Sequence, residues 1–325
     1  MPVLDKPLKD LKNYNGVSPK PADFDEFWDA RLKRLKSLKP KYTLGDPGVK
    51  CKGAIINSLD FIAEDGSPIH CRVVRPDTKE KVPVLFEFHG LSGCCGGYSG
   101  KLKWAMAGFA VVAMDCRGQG GFSSDNSVRH GMNLRGSIVR GVEGAPEDLY
   151  YVSVYSDIVQ LVEIIKGMDF ADTDRMYAHG GSQGGGLTVA CAALCADDIK
   201  GITPVYPYLS DFKRVYEMDM IERAYEDIKY YLRSFLPQDG EREKFWNALG
   251  YIDIQNLAPR IKAETYWYCG LMDNVCPPST QFACYNKIKA KKNMYISSYH
   301  GHESQPREWE DGEFRFLTHL AGLDD

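Results

Sequence analysis

Residues 175–196, Arg-Met-Tyr-Ala-His-Gly-Gly-Ser-Gln-Gly-Gly-Gly-Leu-Thr-Val-Ala-Cys-Ala-Ala-Leu-Cys-Ala, decide how the chain is read. A short run with strand character, Met176 to Ala178, leads into the glycines, and small, apolar, helix-compatible residues follow them. Between the two, Gly180-Gly181-Ser182-Gln183-Gly184 fits G-x-S-x-G. In a strand–turn–helix setting this pattern makes a turn so tight that the serine hydroxyl projects from the sheet. Glycines are needed on both sides, because side chains there would collide as strand and helix approach. A helix beginning just past Ser182 offers free N–H groups and the positive end of its dipole to negative charge beside the hydroxyl. A plain glycine-rich turn or a phosphate loop would use similar residues, and in a chain with 31 glycines the pattern alone is weak. No G-x-G-x-x-G fits and no Lys follows as in a P-loop, so the setting favours a nucleophilic serine.

Outward from this stretch, strands alternate with helices. Val82 to Phe88 is a nearly continuous apolar run, as expected of a strand covered on both faces. A helix at Leu102 to Ala107, a buried strand at Phe109 to Met114, and a long amphipathic helix at Glu147 to Met168 precede the elbow. Thr203 to Tyr206, Thr265 to Cys269 and Met294 to Ser298 supply further strands. Pro278 to Lys289 and Pro306 to Leu320 read as helices. The alternation predicts an α/β fold with a mostly parallel central sheet flanked by helices. Upstream lie an N-terminal arm and an amphipathic helix (Asp23 to Leu38) within residues 1–50, then a hairpin from Gly53–Ile62 and Ile69–Val74. Residues 210–260 break the alternation with helices (Ile221 to Phe235, Glu241 to Leu249), where a cap could cover the strand ends. Of its aromatics Tyr225, Tyr230, Tyr231, Phe235, Phe245 and Trp246, some must pack on the body, and so many in one insertion are expected to leave a surface for subunit contact. Residues 1–325 are read as a single domain carrying these additions.

Composition narrows the function. The 44% hydrophobic content supports a large core. The net charge of −4 and pI near 6.0, with no basic block, point away from nucleic acid and anionic membranes. No apolar segment resembles a signal peptide or approaches the ~20 residues of a membrane span, so a cytoplasmic location is expected. The ten cysteines include no C-x-x-C and are read as free, mostly buried thiols with no metal or disulfide role.

A nucleophilic Ser182 needs a base, and the base an orienting acid, in the chain order Ser, acid, His. His300, His302 and His319 are the histidines beyond residue 182. His319 falls inside a helix; His302 lies farther than His300 into the loop after the last strand and is favoured. Asp273 stands just past Thr265–Cys269, at the carboxyl end of a strand, where open α/β sheets place their sites. Asp253 and Asp311 sit in helical surroundings. The oxyanion of a tetrahedral intermediate needs fixed N–H donors, expected from Gln183 and from Leu91 in the loop after Val82–Phe88. His89 is expected to shape that loop. Arg117 and Gln119 are read as braces, with Arg117 pairing with Glu303 to hold the histidine loop.

Arg117-Gly118-Gln119, Gly180-Gly181-Ser182-Gln183-Gly184 and His302-Glu303 resemble the R-G-Q, G-x-S-Q-G and H-E motifs of carbohydrate esterase family 7, the acetyl xylan esterases and cephalosporin C deacetylases. The resemblance runs from the N-terminal helix to the last helix. It implies an α/β-hydrolase that deacetylates short acetylated xylo-oligosaccharides and cephalosporin C, with no metal or other cofactor. It implies an intracellular homohexamer and puts Ser182, Asp273 and His302 at the triad positions. It also sets Val275 and Cys276 beside a small acyl pocket. Leu91 departs from the Tyr of many relatives, which changes a side-chain contact to sugar but not the backbone donor. A broad short-chain carboxylesterase or thioesterase is the competing enzymatic reading. A non-catalytic receptor on a hydrolase scaffold would require a missing triad member.

Overall fold

A computed structural model describes residues 4–132, 136–219, 223–236 and 239–324. Nine strands form one sheet: β1 (Tyr42–Gly45), β2 (Ala54–Ile62), β3 (Pro68–Pro76), β4 (Val82–Phe88), β5 (Ala110–Met114), β6 (Ala171–Gly181), β7 (Ile199–Val205), β8 (Glu264–Gly270) and β9 (Lys292–Ser297). Their order is β1-β2-β3-β5-β4-β6-β7-β8-β9. The strands β4 to β9 run parallel, and β1, β2 and β3 add an antiparallel edge. Chain order reverses about β4, whose neighbours are β5 on one side and β6 on the other. A sheet of this kind opens a crevice beyond the carboxyl ends of its strands at that point. This is the mostly parallel, helix-flanked sheet that the alternation of elements predicts, in the α/β-hydrolase form that the family resemblance implies.

The central strands are buried because both faces are covered. β5 (Ala-Val-Val-Ala-Met) is buried at every position, and β4 at every position but Glu87. On one face lies the helix Tyr150–Lys166, expected to be amphipathic but buried almost throughout. The reason is the N-terminal helix Phe24–Ser37, which packs on its outer side. Trp28 is buried there, donating from Nε1 to the Tyr251 carbonyl at 3.1 Å, and Arg31 Nε donates to Ser156 Oγ at 2.7 Å. The arm before this helix is tied to the body by Asp211, which accepts from Tyr14 Oη at 2.8 Å and from the amides of Val17 and Ser18.

Between β7 and β8 come Phe212–Glu217, Glu226–Ser234, Asp239–Leu249 and Ile254–Leu257. The start of the helix expected at residue 221 lies outside the described residues. Of the six aromatics expected to leave a contact surface, four are core: Tyr225, Tyr231, Phe245 and Trp246 are buried, and only Tyr230 and Phe235 are exposed. The helix Glu226–Ser234 is amphipathic, and its apolar face turns onto the body; Tyr231 stacks on Phe245, centroid to centroid 5.2 Å. Among the described residues no helix is long and apolar enough to cross a membrane.

A buried charge network ties the sheet to the last helix. Glu87 of β4 and His179 of β6 are paired in register, and Glu313 of Arg307–Leu320 faces His179 from the other side. His179 lies 3.4 Å from Glu87 and 3.5 Å from Glu313, and Lys101 also pairs with Glu87. Burial pushes the imidazolium down, but the two carboxylates win and raise it to about 9. Burial likewise pushes Glu87 up, and His179 with Lys101 overcomes it, holding the carboxyl at about 2. These shifts are one attraction seen from its two ends. The His179 contribution is present in full below its unfolded value of about 6.5 and lost as pH rises through about 9. The Glu87 contribution is present above about 4.5 and lost as pH falls towards 2. Thermal unfolding should therefore show stability declining from pH 6.5 to 9.5, by on the order of 2–3 kcal/mol. His179→Gln should flatten that limb; an equal decline in both proteins would exclude the network as its source.

Candidate active site

At the end of β6 the chain makes the turn that G-x-S-x-G predicts. Ser182 has φ 58° and ψ −119°, a conformation that costs a non-glycine residue free energy, and the helix Gln183–Leu194 begins at the next residue. Two flanking positions require glycine for space. A Cβ on Gly184 would lie 2.0 Å from the Phe88 carbonyl oxygen, and one on Gly180 would lie 2.6 Å from the same atom. The elbow and the end of β4 thus touch backbone to backbone, and the switch point of the sheet is where Ser182 emerges. The Ser182 amide donates to the Val205 carbonyl at 2.9 Å, and the Tyr208 amide donates to the Ser182 carbonyl at 2.9 Å. Both contacts fix the turn from the β7 side.

The structure brings Ser182, His302 and Asp273 into one line. His302 Nε2 is 2.9 Å from Ser182 Oγ, and His302 Nδ1 is 2.9 Å from Asp273 Oδ2. Asp273 is wholly buried in the loop after β8, and its Oδ1 accepts from the amides of Val275 at 2.9 Å and Cys276 at 2.8 Å. One carboxylate oxygen is therefore committed to its own loop while the other faces the imidazole. That arrangement fixes Nδ1 as the protonated nitrogen and leaves Nε2 as acceptor for the serine proton. His300 is turned away, its Nδ1 2.7 Å from Ser297 Oγ, and His319 pairs with Asp324 at the surface. Asp253 caps the helix Ile254–Leu257 and holds the Asp211 amide.

The loop after β4 runs beside the elbow: a Cβ on Gly90 would lie 3.9 Å from the Gly181 carbonyl oxygen. His89 shapes it, with Nε2 accepting from the Cys116 amide at 2.9 Å and Nδ1 2.8 Å from the Gly90 carbonyl. Gln119 and Gln183 form a reciprocal amide pair, at 2.8 Å from Gln119 Nε2 to Gln183 Oε1 and 3.1 Å in the other direction. Gln119 Oε1 also accepts from the Ser92 amide at 2.9 Å, next to Leu91, and Tyr151 Oη donates to Gln183 Oε1 at 2.8 Å. These bonds connect the residue after the serine to the loop that carries Leu91.

Arg117 does not pair with Glu303. Its guanidinium is buried and forked onto Asp157, Nε to Oδ2 at 2.7 Å and Nη2 to Oδ1 at 2.6 Å, and it also pairs with Asp65 and Asp125. Burial first, with the charges of Asp65 and Asp125 behind it, pushes Asp157 up, and Arg117 only partly offsets this, leaving it at about 6. Arg117 faces inward beneath the end of β5 and braces the hairpin turn against the long helix. Glu303 instead accepts from the Gly301 amide of its own loop at 3.0 Å. Sequence reasoning also gave no role to Tyr206. It follows the last residue of β7 with φ 32°, its ring lies 4.3 Å from that of His302, and its hydroxyl accepts from Gln305 Nε2 at 2.6 Å. Its place just past a strand that neighbours the elbow was the available signal.

The chain is similar in sequence and fold to proteins of known kind. The acetyl xylan esterase (AXE1) family profile matches residues 1–320. Acetyl xylan esterase 1 from Thermoanaerobacterium sp. JW/SL YS485 is 40% identical with a TM-score of 0.95, over 98% of this chain and 99% of that one. The acetyl xylan esterase from Paenibacillus sp. R4 is 34% identical with a TM-score of 0.89, over 96% of this chain and 99% of that one. Acetyl esterase Axe7A of Xylanibacter ruminicola is 26% identical over 296 residues, 87% of this chain and 63% of that protein, so the chain spans under two thirds of its length. A match that runs from the N-terminal arm to the last helix, on a sheet that superposes almost whole, makes this chain a member of the acetyl xylan esterase family.

Proposed function

We propose that the protein is a serine carboxylic ester hydrolase that releases acetate from short acetylated xylo-oligosaccharides, and from cephalosporin C as a second acetyl ester. The observation that carries this reading is the Asp273–His302–Ser182 line at the switch point of the sheet. Ser182 Oγ attacks the ester carbonyl while His302 Nε2 takes its proton. The amides of Gln183 and Leu91 receive the negative oxygen of the tetrahedral intermediate. Collapse breaks the bond to the sugar oxygen, which leaves with the proton from His302, and the acetyl group stays on Ser182. Water then gives a proton to His302 and attacks the acetyl carbon; acetate departs and Ser182 regains its proton. Asp273 keeps the imidazole in the working tautomer and stabilises its charged form.

Val275 and Cys276 border the acyl side. The Cys276 thiol is buried and lies close enough to the Ser182 hydroxyl to feel it, although burial first and the Asp273 charge second push the thiol well up. On this reading the buried Cys276 walls a pocket sized for the methyl group of acetate. The protein works on this reading as a cytoplasmic homohexamer, and the exposed Tyr230 and Phe235 offer part of a contact surface. Specificity constants on nitrophenyl acetate, butyrate and octanoate test the acyl assignment, with acetate release from acetylated xylobiose alongside. Each methylene that cannot be seated costs about 1–3 kcal/mol, so acetate should exceed butyrate by at least tenfold. Equal constants on octanoate would replace the deacetylase with an open-cleft esterase.

A further inference from the structure

One cluster of donor side chains lies outside the triad and has no part in ester cleavage. His70 on β3, Cys95 in the loop after β4 and Asp115 just past β5 bring one nitrogen, one sulfur and one oxygen within 4.8 Å of one another. Cys95 and Asp115 are buried, and the His70 side chain is nearly so. His70 Nδ1 lies 2.7 Å from Asp60 Oδ1, so the ring's proton resides there and Nε2 presents a lone pair. That Nε2 is buried and finds no hydrogen-bonding partner. A buried imidazole nitrogen with its lone pair unused, its other nitrogen held by a carboxylate, is the arrangement of a histidine prepared for a metal.

We propose that His70 Nε2, Cys95 Sγ and Asp115 bind one zinc-class divalent cation. Thiolate, imidazole and carboxylate together suit zinc, whose bonds of about 2.0–2.3 Å set tetrahedral donor spacings of roughly 3.3–3.8 Å. The three side chains close by about an ångström to reach them. Asp115 already accepts from the amides of Cys95 at 2.6 Å and Phe122 at 2.9 Å, and each carboxylate oxygen keeps a second lone pair. Those bonds hold it in place as a ligand. Burial first, then Asp115, keep the Cys95 thiol protonated, while Arg72 and Lys101 act the other way. These two cations oppose a bound ion; Asp60 and Asp115 offset them. The Phe122 ring, largely exposed, lies edge-on 5.1 Å from the His70 ring. On binding, the thiol proton passes to water as the sulfur–metal bond forms, with no change of oxidation state. The site thus gives Cys95 a chemistry beyond the packing role read from the sequence, and it ties the loop that carries Leu91 to β3.

Cobalt(II) titration of the full, tag-free chain tests this directly. One equivalent should produce a near-ultraviolet thiolate-to-cobalt band with tetrahedral visible bands, and zinc should displace it one for one. Cys95→Ala should remove the band, and Cys94→Ala, at the exposed neighbouring thiol, should leave it intact. Asp60→Asn changes a half-exposed residue outside the ligand set and should weaken binding about 10–100-fold. A wild-type chain without the band, a band that survives Cys95→Ala, or a band lost in Cys94→Ala would overturn the site. If Cys95→Ala does not fold, the Asp60→Asn affinity decides, and an unchanged value overturns it.

Discussion

Replacing Ser182 with alanine should lower esterase turnover about a millionfold while leaving the fold intact. His302→Ala should cost nearly as much, and the double variant little more than either. The three groups act through one chain of hydrogen bonds, so removing the second member of a broken chain changes little. Residual activity above water would come from the amides of Gln183 and Leu91. Steady-state kinetics on nitrophenyl acetate measures all four proteins. Should His300→Ala abolish turnover and His302→Ala spare it, the base would be misassigned. The geometry opposes that outcome, because His300 is engaged with Ser297 and Ser182 is within reach of His302.

Arg117→Met should destabilise the protein by about 3–5 kcal/mol without touching the reacting atoms. The change leaves Asp157, itself fully buried, without the guanidinium forked onto it. Asp65 and Asp125, at the hairpin turn and in the loop beyond β5, would lose the same partner. Adding Asp157→Asn should recover part of the loss, since it removes the stranded charge. Chemical denaturation of the single and double variants reads this out. A loss below about 1 kcal/mol would assign the network the weight of a surface pair.

The contrast between Ser182 and Arg117 shows what a sequence can encode. Ser182, Asp273 and His302 were legible because the elbow has a local signature and the other two follow strand ends in a fixed order. β4 was legible because burial on both faces leaves a run that is apolar at every position but Glu87. Arg117 was not, because 44 acidic residues compete for it and nothing local says which ones the fold delivers. The reading of Arg117 as a brace named Glu303 as its partner, where the fold delivers Asp65, Asp125 and Asp157. β6 was read as three residues and runs for eleven, since its first part, Asp172 to Arg175, is polar and lies towards the edge of the packed region. The aromatics of residues 210–260 misled for a related reason. Side-chain type reports a need for burial, but not whether the chain itself or a second subunit meets it.

The Glu87–His179 pair bears on working conditions as well as on folding. Each ester cleaved releases acetic acid, so a concentrated substrate acidifies its own surroundings as the reaction proceeds. Acetate buffers that fall far above the point where Glu87 takes up a proton, and His179 only becomes more firmly charged on the way down. The strand that leads into Ser182 therefore stays fastened to its neighbour while product accumulates.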